Sequence, residues 1–307
     1  MIHDIYHDEC KEDGYWHGFL FVPRATRAEL LALLHRARKL TEYGGHLHYV
    51  KIGKETKRHH KKYLLAEAWT SVGCNALQQQ KLQKYPIRVL LGRNPQRGAQ
   101  AEYHHVASLL KCRFVLFRER DNHKTMYEGM TPRHRVETTF RMALKGGVHK
   151  LFSDSDRITI GNVFLDGDEQ YFTVERTLLR LQYECRDHVS FAPDGQMIPQ
   201  RSNHSQIAPN QHQDDSHLLQ LCEVLIGGFR FHSCCGDRRH PRYEMSFHCK
   251  VLLDHEHNNS ARMSESRYFK GFSLADAWLE NGEWNFAPLT TKITPTKGVQ
   301  EVLKLNS

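Results

Sequence analysis

The chain opens on two short runs in which apolar and polar side chains alternate. IHDIYHDEC begins at residue 2 and YWHGFLFVP at residue 15, with Lys11 to Gly14 between them. Period-two runs joined by a tight polar turn predict an antiparallel hairpin, here with strands over about 2–9 and 15–22. The period then lengthens. Thr26-x-x-Glu29 has the form of a capping box. It predicts a helix whose stripe is Leu30, Leu31, Leu33, Leu34 and Leu40, closed by Gly44-Gly45. HLHYVKI, 46–52, alternates as a strand does, and 56–83 carries a helical patch of Tyr63, Leu64, Leu65, Ala68, Trp69 and Val72.

Further on, IRVLL, 87–91, predicts a buried strand, 92–100 a loop, 101–111 a helix and 112–119 another strand. Thr131-Pro132 starts a helix with proline at its first position. Val136, Phe140, Ala143 and Leu144 are its apolar face and Gly146-Gly147 its stop. Residues 157–170 predict a strand running into a turn, 173–187 a helix, 192–213 a long loop and 214–229 a helix closed by Gly-Gly. The chain beyond 236 is polar and irregular. A hairpin followed by alternating helices and strands predicts an α/β fold with a mixed sheet, antiparallel first and parallel later. The organisation expected is a core over 1–235 and a C-terminal extension, 236–307, packed on it.

The informative positions are acids that interrupt this pattern. Glu223 lies among Leu218, Leu219, Leu221, Cys222, Val224, Leu225 and Ile226, so it sits in a helix apolar nearly all round. A carboxylate there needs a cation, a hydrogen-bond network or a metal. Ser216, Gln220, Glu223 and Gly227 recur at helical spacing and form one narrow polar stripe. Asp8 and Glu9 end the first strand. Asp166 ends the strand ITIGNVFLD, at the edge where open α/β sheets place their ligands. Each alone reads as a turn. Together, acids from a first strand, a later strand and a helix can converge on one or two Mg²⁺ or Mn²⁺ ions, which take oxygen ligands. Alternation puts Asp8 and Glu9 on opposite faces, so Asp8 is the expected ligand and Glu9 a secondary candidate, with Asp215.

Charge adds a partner to this picture. There are 43 Lys and Arg against 35 Asp and Glu, a net of +8, and the excess is clustered. KIGKETKRHHKK, 51–62, holds Lys51, Lys54, Lys57, Arg58, Lys61 and Lys62. Such a run either caps a solvated helix or holds a phosphate backbone. Eight cysteines without a C-x-x-C pair read as reduced thiols. The absence of a long apolar run or a signal pattern leads to the expectation of a cytoplasmic protein with no membrane partner. HSCCGDRRH, 232–240, has poor spacing for zinc, and Cys10 beside His7 lacks a third group to make it a nucleophile.

YHDEC, NVFLDGDE and SHLLQLCEVLIGG resemble motifs of the bacterial domain-of-unknown-function family 3800, over roughly residues 2 to 230. Members open with a strand ending Asp-Glu-Ser, carry Glu-x-His after the first helix and a mid-chain strand ending in Asp, and have a late Leu-Leu-Gln-Leu-Ala-Asp-Leu helix. Cys10 stands in the serine place, Glu223 where the family has Asp, and His46-x-His48 where it has Glu-x-His. The resemblance implies a ribonuclease H-like mixed sheet and a metal-dependent nuclease acting on DNA or RNA through Asp8, Asp166 and Glu223. It also implies a bacterial context, in which phage defence or a mobile element would supply a partner protein. The missing acid at His46 could be made up by Glu9 or Glu55, could shift ligation toward nitrogen, or could leave a non-catalytic nucleic-acid or partner-binding module. LDGDE, with Asp168, also suits a topoisomerase-primase-type site, but YHDECKEDG fits that less well.

Overall fold

The computed structural model describes residues 1–53, 56–77, 90, 97–121, 129–152, 157–166, 174–184, 189–195, 197–199, 213–260 and 271–291. The hairpin forms as its alternation requires: β1 (Ile2–Cys10) pairs antiparallel with β2 (Tyr15–Pro23), and Asp13 and Gly14 take positive φ in the turn. Then come α1 (Arg27–Thr41), α2 (Lys61–Ala76), α3 (Arg97–Leu109), β3 (Arg113–Glu119) and α4 (Pro132–Leu151). They are followed by β4 (Ile158–Leu165), α5 (Val174–Glu184), β5 (Val189–Phe191), β6 (Met197–Pro199) and α6 (Gln213–Arg230). The chain closes with α7 (Pro241–Met245), α8 (Phe247–Ser260), β7 (Phe272–Glu280) and β8 (Glu283–Pro288).

The protein is α/β. Its mixed sheet runs β5-β4-β1-β2-β3-β7-β8, with β6 also beside β4. β1–β4, β4–β5, β4–β6 and β3–β7 are parallel; β1–β2, β2–β3 and β7–β8 are antiparallel. Alternation divides the hairpin between two cores. Tyr6, Trp16, Leu20 and Val22 face α1, α2 and α6 in one core. Ile5, Tyr15, Phe19 and Phe21 face α4 and α5 in the other. Among the described residues, no helix is long and apolar enough to cross a membrane.

Several local expectations are corrected. Thr26 does precede α1, but its hydroxyl donates to the Leu110 carbonyl (2.8 Å) and makes no capping bond. Glu42 in the left-handed conformation ends that helix, ahead of the glycine pair. Gly146-Gly147 does not stop α4, which continues to Leu151 and uses the bare Gly147 to approach Val115. Residues 97–100 belong to α3, not to a loop. α6 runs on through a π turn, Phe231–Cys235, to Gly236. The described residues past 236 include two helices and two strands, and β7 extends the same sheet beyond β3. IRVLL lies outside the described residues except for buried Leu90, as does most of 200–212.

Residues 46–52, expected as a strand, pair with no strand. Their backbone groups find side chains instead. Gln220 Oε1 accepts from the Leu47 amide (3.1 Å), and Glu223 Oε1 accepts from the Tyr49 amide (3.1 Å). The polar stripe of α6 thus supplies what a sheet ladder would have supplied. Gly227, next on that stripe, lets Tyr49 pack directly on the helix, because a Cβ there would run into the ring.

Candidate metal centre at the edge of the parallel strand pair

Two acids meet because two strands are parallel neighbours. β1 and β4 pair with His7 opposite Leu165, and the Asp166 amide donates to the His7 carbonyl (2.8 Å). Asp8 and Asp166 therefore leave the sheet side by side at the same edge. On β2, Gly18 stands opposite Asp8. A Cβ on Gly18 would run into Ile226, so the bare glycine lets α6 settle on the sheet at this point. That brings Glu223, the residue between Cys222 and Val224, over the strand ends.

Electrostatics registers the convergence. Asp8 is buried, and its carboxyl is held well above the usual carboxylate range. Burial is the largest cause, followed by the negative charges of Asp166 and Glu223, with Glu9 a smaller contributor. The Glu9 amide, donating to Asp8 Oδ1 (2.7 Å), acts in the opposite sense. Among the described residues Asp8 forms no salt bridge with Lys or Arg. Asp8 thus lies in the field of two further carboxylates, but one ligand atom from each of Asp8, Asp166 and Glu223 does not fall within 4.8 Å of the others, so the three are neighbours and not a closed ligand set.

Nitrogen donors flank Glu223 on its other side. Its Oε1 is 3.2 Å from His48 Nδ1 and its Oε2 is 3.7 Å from His46 Nε2. The two imidazoles meet edge to face with centroids 3.6 Å apart. One ligand atom from each of His46, His48 and Glu223 falls within 4.8 Å of the others. His46, noted in the sequence as standing where the family has an acid, and His48 are both direct neighbours of the helix carboxylate. Their signal in the sequence is the H-x-H spacing.

The remaining candidates fall elsewhere. Glu9 points to the opposite face, where it accepts from the Tyr15 hydroxyl and lies 3.5 Å from Lys11 Nζ. Asp215 is eight residues before Glu223, about 12 Å along the helix axis. It accepts from Tyr6 Oη (2.9 Å) and pairs with Arg27 (2.7 Å), away from the three gathered acids. Glu55, Asp168 and the acidic pair of FSDSD lie outside the described residues.

In the basic run, Arg58 pairs with Glu244 (2.7 Å) and Lys61 with Glu42 (2.6 Å), while Lys51 and Lys57 are exposed. Lys62 is half-buried. Burial and Lys51 lower its pKa and Glu223 raises it, which puts its ammonium within the field of the acid site. Lys54 lies outside the described residues.

Cys10 and His7 do not form a pair. His7 points to the α4 side, 3.2 Å from His17 and against Phe140, and burial lowers it to about 3. Burial raises the Cys10 thiol. His232 is hydrogen-bonded to Ser246 (3.2 Å), and no cysteine joins a metal-binding group among the described residues. Compared with models of known protein families, with curated proteins and with solved structures, the chain matches none.

Proposed function

We propose that this protein is a metal-dependent nuclease built on a ribonuclease H-like core. The observation that carries the reading is the proximity of Asp8 and Asp166 at the end of the parallel pair β1–β4, with the charges of Asp166 and Glu223 both acting on Asp8 and Lys62 within the field of Glu223. The hairpin-first, parallel-later sheet supports the same reading, as do the motifs that resemble family 3800.

Asp8 and Asp166 would hold a divalent ion through carboxylate oxygens, and Glu223 would complete the set. A bound ion would lower the pKa of a water and stabilise charge on the phosphodiester oxygens. With His46 and His48 beside Glu223, the set mixes oxygen and nitrogen, which suits Mn²⁺ better than Mg²⁺. Lys62 is within the field of Glu223 and would attract the scissile phosphate. Lys51 and Lys57, exposed on the preceding segment, would hold the flanking backbone. Burial of Asp8 keeps bulk water from competing for it.

The second reading is a nucleic-acid-binding module without catalysis. It is favoured by one observation: Glu223 already serves the Tyr49 amide and His48, so it is committed to shaping the 46–49 segment. Cleavage assays on single- and double-stranded DNA and RNA with Mg²⁺, Mn²⁺ or Zn²⁺ separate the two. The nuclease reading expects cleavage strongest with Mn²⁺, falling about a hundredfold or more in Asp8→Asn and Glu223→Gln. Salt-sensitive binding without cleavage in any of the three metals would establish the binding module instead.

A further inference from the structure

A separate set of donors stands where α1 meets the first turn of α6. His35 on α1, and Asp214 and His217 on α6, each offer an atom within 4.8 Å of the others. Asp214 and His217 are three apart and share a helix face. His35 Nε2 lies 2.9 Å from Asp214 Oδ1, and the rings of His35 and His217 meet edge to face at 4.8 Å.

His217 is the unusual member. It is 1% exposed, yet neither of its ring nitrogens has a hydrogen-bond partner among the described residues. Buried polar groups are nearly always satisfied, so two unsatisfied nitrogens on one ring call for a ligand. Trp69 packs edge-on against the same imidazole at 5.6 Å and fixes its orientation toward His35 and Asp214.

We propose that His35, Asp214 and His217 form a second metal site, one that takes Zn²⁺ and clips α1 to the start of α6. Two imidazoles and a carboxylate are a zinc donor set, whereas Mg²⁺ and Ca²⁺ require mostly oxygen. Bonds of about 2.0–2.1 Å place tetrahedral ligand atoms roughly 3.3 Å apart. Binding would require the His35 and Asp214 side chains to draw the ligand atoms in from the present spread of up to 4.8 Å. His35 and Asp214 side chains are 43% and 44% exposed, which gives the ion an entry path and room for water at the fourth position.

The positive end of α6 opposes a cation, and Asp214 in its first turn offsets it, while Asp215 beside it is paired with Arg27. Arg38, whose charge acts on His217, is held by hydrogen bonds to Gln220 (2.7 Å) and to the carbonyls of Tyr43 and Gly45. The site is independent of the nuclease reading. His217 precedes Glu223 by six residues, about 9 Å along the helix.

The test uses the full chain, stripped of metal, with His46→Gln and His48→Gln together to remove the competing nitrogens. Zinc is titrated by calorimetry and Co²⁺ by quenching of Trp69 emission. The expected result is one zinc per chain and Co²⁺ quenching that disappears in Trp69→Phe. His35→Gln and Asp214→Asn, both at exposed positions, should each weaken zinc about tenfold or more. Glu223→Gln should leave the affinity unchanged. Circular dichroism checks that each variant is folded. Zinc affinity unaltered by both His35→Gln and Asp214→Asn, or no zinc bound by the His46/His48 double variant, would overturn the site.

Discussion

At the scale of single residues, Asp8 carries the tension of the site. Its folded-state carboxyl takes up a proton more readily than a free one does, because burial and two neighbouring carboxylates disfavour the charge. Asp8→Asn removes that penalty. In metal-free buffer near pH 7 the variant should be more stable than the parent, read as a higher urea midpoint. In saturating Mn²⁺ the order should reverse, since the parent alone gains the full binding energy. Equal stability of the two proteins in both conditions would remove Asp8 from the ion's ligands.

The acids were legible for a simple reason. A carboxylate at a strand end or inside an apolar helix stands out against a regular pattern. The engagement of Asp215 was not legible, because its partners Arg27 and Tyr6 lie about two hundred residues away in the chain. His217 was hidden as well: a lone histidine in an apolar run carries no sign that its nitrogens lack partners.

At the scale of elements, the docking of α6 decides the geometry. Gly18 is the contact that permits it. Gly18→Ala would push a methyl into Ile226 and lift the helix at the level of Asp8. The expected cost is about 1–3 kcal/mol in urea unfolding, together with a loss of Mn²⁺ affinity. A variant as stable as the parent with unchanged affinity would show that α6 can shift without cost.

The same helix explains why 46–52 misled. Alternation in HLHYVKI is real, but an alternating run needs a strand beside it, and here the amides of Leu47 and Tyr49 face Gln220 and Glu223. Helix ends were misplaced by a related cause. Thr26 found a distant carbonyl, and Gly147 served close packing, not termination. Long periodic segments, α4 and α6 above all, followed from spacing alone.

At the scale of the molecule, pH and salt have opposite lessons. Burial, aided by Arg113, lowers His3 to about 4, and burial lowers His232 to about 4 and His7 to about 3. Unfolded histidines titrate near 6.5. The unfolded chain therefore binds protons that the folded chain refuses, so this stability is complete above about pH 6.5 and is lost as pH falls through 4. Asp8 works the other way, costing stability as pH rises above the ordinary carboxylate value of about 4. Burial, with Arg38, lowers His217 to about 3 as well, so four groups oppose one, and the urea midpoint of the metal-free protein should fall between pH 7 and 4.5. A flat or rising midpoint on acidification would refute the assignment of neutral buried imidazoles.

Salt probes the surface. If Lys51, Lys57 and Lys62 each meet a phosphate, replacing all three by Ala should reduce the slope of log affinity against log salt by about 2–3 for nucleic acid. An unchanged slope would place the backbone contacts elsewhere on this basic protein.

The parallel pairing of β1 with β4 has a further consequence in time. Asp8 is made before Asp166 by 158 residues, and Glu223 follows 57 residues later still. A ribosome-bound chain therefore carries the first acid long before its neighbours exist. Domains organise as units as synthesis proceeds, and this one cannot assemble its acid cluster until α6 has cleared the exit tunnel. A chain cut short before residue 213 would have none of Glu223, Asp214 and His217. The order of the elements thus makes the acid cluster a property of the nearly finished fold.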